Sequence, residues 1–250
     1  MTHVPFFGGR LAQLLDHRRL PAGELAARGG PHPDALRPVL AGAPPAGDLL
    51  RQLAPALGLH AADLFAAADL ALPADLAPPH PDAERHVAVV VADVLRLPPA
   101  GQRQLLTRIR ALPDEEPGAP SVRPPGAALR DLPGGRVVRM LRHRNLGWTG
   151  IARILARSTP SYLSAATYGA IGSGRADLTP RLVADAGTVL GVEAHELALL
   201  TGGPLPEPAR ASPAAGNAAA LLWAARRLSA AQLECLEHQL RGQRPHGGER

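Results

Sequence analysis

The segment GRLAQLLDHRRL at Gly9–Leu20 recurs as GRVVRMLRHRNL at Gly135–Leu146, with every position displaced by 126 residues. Its apolar residues are spaced three and four apart, as in Leu11, Leu14 and Leu15, which predicts an amphipathic helix with one buried face. The recurrence of so long an element indicates that the chain is an internal duplication.

The repeat extends outward from this first helix. Leu57–Leu64 aligns with Leu190–Leu197 at an offset of 133, and after a proline-rich stretch Arg96 aligns with Arg227 at an offset of 131. No run of residues alternates with the period of two that a half-buried strand shows. We therefore expect an all-α protein made of two repeated units, each with about five short helices followed by a helical hairpin.

These alignments divide the chain into five segments. They are a first five-helix domain at 1–68, a first helical hairpin at 83–112, a proline-rich linker at 113–133, a second five-helix domain at 134–202 and a second hairpin at 216–242. Each hairpin carries apolar stripes, such as the valines between Val87 and Val94. These stripes need to be buried against the hairpin's own domain, the sister hairpin or a second chain.

Composition limits the setting in which this chain works. The single cysteine, Cys235, excludes an internal disulfide framework. The first ten residues lack the charged start and apolar run of a signal peptide, and no stretch approaches the roughly 18 consecutive apolar residues of a membrane span. We expect a cytoplasmic protein with no membrane partner. All 27 basic residues are arginine, and the formal charge of +5 permits nucleic acid as a partner.

The segment LAARGGPHPDALRPVLAG at Leu25–Gly42 resembles the helix-turn-helix of the lambda repressor and Cro-like family, also called the Xre family. The resemblance places Gly30 in the turn and Leu36 and Val39 on the buried side of the third helix. Two helices that cross through a tight turn need a small residue at the bend and apolar residues at the crossing. The resemblance implies a lambda-repressor-like domain in each copy and double-stranded DNA as the partner.

The two copies differ in the residues that the family uses to read bases. The third helix of the first copy carries Asp34 and Pro38 beside Arg37, which is a poor set for a DNA groove. The second copy has Ser164 as the expected N-cap and Thr167 on the outer side. Residues 9–67 hold six arginines against five acids, whereas residues 134–200 hold eight against four, so the second copy is expected to supply most phosphate contacts.

The predicted DNA-binding residues fall into three groups. Trp148, at the expected start of the second helix of the second copy, has three possible roles: contact with the DNA backbone, contact with a protein partner, or local packing against Ser158–Leu163. The residues nearest the groove are Ser164 and Thr167 in the second copy and Arg37 in the first. The phosphate candidates are Arg139, Arg142, Arg144, Arg153, Arg157 and Arg175.

Two functions of different classes follow from these patterns. The first is a non-enzymatic, DNA-binding transcriptional regulator. The alternative is an interaction or scaffold protein in which degenerate helix-turn-helix modules have lost groove reading and the hairpins bind a partner or self-associate. No motif places a serine, a histidine and an acid together for catalysis, and none indicates a cofactor. A metal site is not expected either, because His17 and His143 lack further ligands at metal-binding spacing.

Overall fold

The computed structural model describes residues 6–117, 129–206 and 217–242, and these residues contain no β-strand, so the all-α prediction is confirmed. None of the described helices has the length and apolar character that a membrane span requires. The α-helices are α1 (Phe7–His17), α2 (Ala22–Ala27), α3 (Pro33–Leu40), α4 (Gly47–Ala56), α5 (Ala61–Ala67), α6 (Glu84–Val94), α7 (Pro99–Ala111), α8 (Pro133–Arg142), α9 (Trp148–Ser158), α10 (Ala165–Gly172), α11 (Pro180–Leu190), α12 (Ala194–Thr201), α13 (Ala218–Ala225) and α14 (Ala230–Gly242).

Local sequence explains where several helices begin and end. Pro99, Pro133 and Pro180 stand at the first position of α7, α8 and α11, where a missing amide hydrogen costs no helical hydrogen bond. Gly191 and Gly202 follow α11 and α12 with φ values of 73° and 69°. This left-handed conformation suits glycine, which has no Cβ, and it ends both helices.

The two halves of the chain pack against each other in a reciprocal arrangement. Helix α1 lies against α12, and α5 lies against α8. Their apolar faces, including Leu14 of α1 and Met140 of α8, are fully buried and belong to one continuous core. The halves are therefore joined by a shared interior as well as by the chain that connects them.

Charged side chains cross this interface in the same reciprocal way. Arg18 at the end of α1 forms hydrogen bonds of 2.5 Å with both carboxylate oxygens of Glu196 on α12. Arg144, just after α8, binds Asp63 on α5 through two hydrogen bonds. Each arginine also donates to a carbonyl oxygen at the end of a helix in its own half. Arg144 and Asp63 are only 1% and 2% exposed, which makes theirs the more deeply buried pair.

The helical hairpins pack on each other within the chain. Helix α6 contacts both α13 and α14, and α7 contacts α13. Val87, Val90 and Val94 on α6 and Leu221 on α13 are fully buried. Of the three ways to bury the hairpin stripes, the structure has two: both hairpins pack against each other, and α13 also packs against α11 of its own domain. Helix α6 also packs against α9, where the Cβ of Ala88 fills the space beside Gly150.

The end of the predicted linker is packed rather than extended. Residues 118–128 of the 113–133 segment and Gly216 of the second hairpin lie outside the described residues, as do residues 1–5. Leu129 and Leu132, however, contact the C-terminal end of α10 at Gly172 and Gly174, and the amide of Arg130 donates to the Gly172 carbonyl oxygen at 3.1 Å. Residues 129–132 of the predicted linker are therefore packed against the second half, where their apolar side chains cover the end of a helix.

His143, which follows α8, links protein stability to pH. Its Nδ1 lies 3.0 Å from the carbonyl oxygen of Ala62, and burial is the main reason that its pKa is lowered from the ordinary 6.5 to about 4. The folded protein therefore holds a neutral ring that donates to this oxygen. Between pH 6.5 and 4 the histidine binds a proton in the unfolded chain but not in the folded protein. The stability that the neutral His143 ring contributes is therefore fully present above pH 6.5 and is lost as the pH falls toward 4.

We expect His143→Asn to reduce this pH dependence, because asparagine keeps an N–H donor that does not titrate. The free energy of unfolding that wild type loses between pH 7.5 and pH 5 should be smaller in the variant by about 2 kcal/mol. Urea unfolding at the two pH values measures the difference. His238→Asn, at an exposed position on α14, is the control. Identical losses in wild type and His143→Asn would contradict the assignment.

Candidate nucleic-acid interface

Helices α9 and α10 form the part of the second half that the sequence assigns to DNA. Ile151, Ile154 and Leu155 of α9 are fully buried, as is Tyr168 of α10, and these side chains hold the two helices together. Trp148 is the first residue of α9, as the alignment predicts. The same packing leaves one side of each helix exposed.

The start of α10 is fixed by polar contacts. The Oγ of Ser164 accepts a hydrogen bond of 3.2 Å from the amide of Thr167, so Ser164 is the N-cap that the sequence predicts. Within the preceding connection, the hydroxyl of Ser161 donates to Asp185 of α11. These contacts hold the first turn of α10 and the connection before it in place.

The outer side of α10 carries small residues. Ala166 is exposed, Thr167 is half-buried, and a Cβ placed on Gly169 would meet no atom within 4 Å. A surface of this kind allows the close approach of a ligand backbone, but it offers few donors that could distinguish one base from another.

Arg153, Arg157 and Arg175 are the predicted phosphate candidates that face solvent. Arg153 and Arg157 lie one turn apart on the exposed strip of α9, and Arg175 follows the C-terminal end of α10, where its Nε donates to the Ser173 hydroxyl at 3.0 Å. None of the three forms an ion pair with another described residue. Their charges remain available to an anionic partner.

Two of the predicted phosphate contacts, Arg139 and Arg144, need correction. Arg144 is 1% exposed and its guanidinium binds Asp63, so it faces the interior. Arg139 is 18% exposed and forms ion pairs with Asp69 and Asp131. Both positive charges are used inside the protein, because acidic residues of the first half and of the preceding connection lie against α8.

Arg142 and Trp148 contact each other. The guanidinium carbon of Arg142 lies 4.8 Å from the centre of the Trp148 ring, which is within the range of a cation–π interaction. Both residues are half-buried. Of the roles considered for Trp148, the structure supplies a local contact, although the partner is Arg142 rather than the segment Ser158–Leu163.

The corresponding surface of the first half, on α3, is exposed but differs in charge. Arg37 forms an ion pair with Asp34, and the ring of His32 accepts a hydrogen bond of 3.3 Å from the amide of Asp34. The one base on this helix is therefore paired with a carboxylate at the helix start. Helix α3 continues through Pro38 despite the amide hydrogen that proline lacks.

Sequence reasoning missed Arg96, which the structure brings close to two of the exposed arginines. Arg96 follows α6 and, with Arg153 and Arg157, lines a groove of about 530 Å³ between α6 and α9. Asp93 also lines this groove, 4.0 Å from Arg96, so three positive charges stand against one negative charge. Only the packing of α6 on α9 joins these residues, and no local pattern in the sequence indicates it.

Within the described residues, no three His, Cys, Asp or Glu side chains come together in a way that could hold a metal ion. Comparison with protein-family models, with curated proteins and with solved structures finds no match to this chain. The functional interpretation therefore depends on the geometry and charge of its own residues.

Proposed function

We propose that this protein is a non-enzymatic transcriptional regulator that binds double-stranded DNA through α9 and α10. In this proposal the two halves are copies of an Xre-like helix-turn-helix domain, each backed by its hairpin. The exposed arginines of the second half bind phosphates, and α10 enters the major groove. The first half serves mainly as a rigid support.

One observation carries the proposal, namely the exposed and unpaired arginines on both sides of α10. Arg153 and Arg157 precede the helix in the chain and Arg175 follows it. Phosphate contacts from arginine supply most of the affinity of a DNA-binding domain and fix its orientation on the duplex. Arg96 adds a fourth positive charge to the same groove as Arg153 and Arg157.

The residues of α10 support modest sequence discrimination. Ala165 and Ala166 offer methyl groups for contact with thymine, and the hydroxyls of Ser164 and Thr167 can bond to either kind of base edge. Because these two hydroxyls lie 2.9 Å apart and bond to each other, only part of their capacity is free. In this proposal the shape and the backbone of the duplex account for much of the recognition.

The burial of the hairpins weakens one of the two grounds for the scaffold alternative. That alternative combines degenerate helix-turn-helix modules with hairpins that bind a partner or self-associate, and the hairpin residues Val87, Val90, Val94 and Leu221 are covered by the chain itself. DNA binding through α9 and α10 is therefore the better supported of the two functions.

The salt dependence of DNA binding tests the proposal. The full chain is titrated against a fluorescently labelled duplex by anisotropy at several salt concentrations, together with Arg153→Ala/Arg157→Ala. Each lost phosphate contact removes about 0.9 from the slope of log affinity against log salt, so the double variant should have a slope smaller by about 1.8.

A matched variant separates local contact from overall charge. Arg103→Ala/Arg108→Ala removes the same charge from two exposed positions on α7. We expect it to leave the slope unchanged. Equal reductions in both double variants, or no reduction in either, would remove α9 from the interface.

A further inference from the structure

A cavity of about 440 Å³ opens where the two halves and the two hairpins meet. Its walls come from the start of α5, the end of α7, the end of α11 and one side of α13. The volume lies within the range of small-molecule sites in proteins, about 300–1,000 Å³. None of the DNA-binding candidates on α9 or α10 lines it.

The aromatic residues of this cavity are stacked on each other. The ring of His60 stacks on the indole of Trp223, with ring centres 3.4 Å apart and planes inclined by 7°. The pKa of His60 is lowered to about 4, mainly by burial and to a lesser extent by the nearby positive charge of Arg144. The ring is therefore uncharged at neutral pH. Leu190 and Ala220 add aliphatic surface to the same cavity.

The charged residues that line the cavity are all basic. Arg110 is exposed at the end of α7, and Arg227 donates to the carbonyl oxygens of Ile109 and Leu112 at 3.0 and 2.6 Å. Arg226 lies outside the cavity lining, and its guanidinium carbon is 4.2 Å from the centre of the Trp223 ring, so His60 covers one face of the indole and Arg226 covers the other. No acidic side chain is found among the described lining residues, and Asp114 outside them is paired with Arg227. The cavity therefore combines an apolar and aromatic lining with a positive rim.

We propose that this cavity binds a small aromatic anion, with its ring system against Leu190 and the edge of the Trp223 ring and its acidic group beside Arg110. The apolar lining supplies dispersion contact, and the guanidinium of Arg110 supplies the counter-charge. A bound ligand touches α5, α7, α11 and α13 together, so it links the two halves to both hairpins. This proposal does not depend on DNA binding.

Fluorescence titration of the full chain with 1-anilinonaphthalene-8-sulfonate, an aromatic organic anion, tests the site. We expect saturable binding of one dye molecule per chain. In the variant Trp148→Phe, in which Trp223 is the remaining tryptophan, energy transfer from Trp223 to the bound dye should be retained. Reversing the rim charge in Arg110→Glu should weaken binding on the order of tenfold. Arg108→Glu makes the same change at an exposed position on α7 outside the cavity lining and should leave affinity unchanged.

Two further measurements separate this site from non-specific dye binding. N-phenyl-1-naphthylamine lacks the sulfonate, so Arg110→Glu should not weaken its binding. Ala220→Trp fills the cavity and should abolish saturable binding while circular dichroism and the melting temperature show a folded protein. Equal affinities in Arg110→Glu and Arg108→Glu, retained binding in a folded Ala220→Trp, or no saturable signal in wild type would each overturn the proposal.

Discussion

Replacing Arg144 with methionine should destabilise the protein by about 3–5 kcal/mol, because Asp63 would stay buried without its cation. Arg144 and Asp63 are 1% and 2% exposed, and Arg144 is surrounded by elements of both halves. Methionine retains much of the side-chain volume, so the loss arises from charge and hydrogen bonding more than from a cavity. Urea unfolding at neutral pH measures the change as a lower midpoint.

The reciprocal pair provides a matched control. Arg18 and Glu196 form the corresponding contact on the other side of the interface, but their side chains are 21% and 14% exposed. Because water can solvate the Glu196 carboxylate when Arg18 is replaced, Arg18→Met should lower the free energy of unfolding by about 1 kcal/mol. Combining Arg144→Met with Asp63→Leu should recover most of the stability that Arg144→Met loses, since no unpaired charge remains. Equal losses for Arg18→Met and Arg144→Met would contradict this account.

Thr167→Glu should weaken duplex binding by about 100-fold, which corresponds to about 2.7 kcal/mol. Thr167 stands on the outer side of the first turn of α10, and a carboxylate there would face phosphates and base edges. The substitution also places Glu three residues after the N-cap Ser164, which is the capping-box arrangement. Because a capping box favours the helix, a loss of binding would not result from unfolding of α10. Anisotropy titration at one fixed salt concentration measures the effect.

Ala35→Glu is the matched change in the first half. Ala35 lies three residues after the N-cap of α3, as Thr167 does in α10. Because α3 already presents Asp34, we expect the affinity of Ala35→Glu to remain within about threefold of wild type. A comparable loss in both variants would show that α3 and α10 share the duplex, and no loss in Thr167→Glu would exclude α10.

Local patterns in the sequence predicted the helices well. The spacing of Leu11, Leu14 and Leu15 predicted an amphipathic helix, and all three are buried in α1. Pro99 begins α7 and Ser164 caps α10, because both residues act on their own turn of helix. Such features depend on neighbours three or four residues away, which the sequence displays directly.

The electrostatic interface could not be predicted by counting charges. The excess of arginine in residues 134–200 predicted a phosphate-binding surface that includes Arg139 and Arg144. Both of these residues are instead neutralised by acidic residues of the first half. The repeat did contain a signal for this pairing. Arg18 and Arg144 align with each other, and so do Asp63 and Glu196, so each copy keeps a base and an acid that contact the other copy. No comparable pattern in the repeat predicted that Arg96 would lie beside Arg153 and Arg157.

The most direct test of DNA binding is a titration of the full chain with fragments of genomic DNA at two salt concentrations, followed by footprinting of the fragments retained. The account predicts saturable binding that weakens steeply at the higher salt and a protected segment on the retained fragments. It also predicts that Thr167→Glu loses this protection and that Ala35→Glu keeps it. Failure of the folded wild-type chain to bind any fragment at the lower salt would contradict DNA binding through α9 and α10.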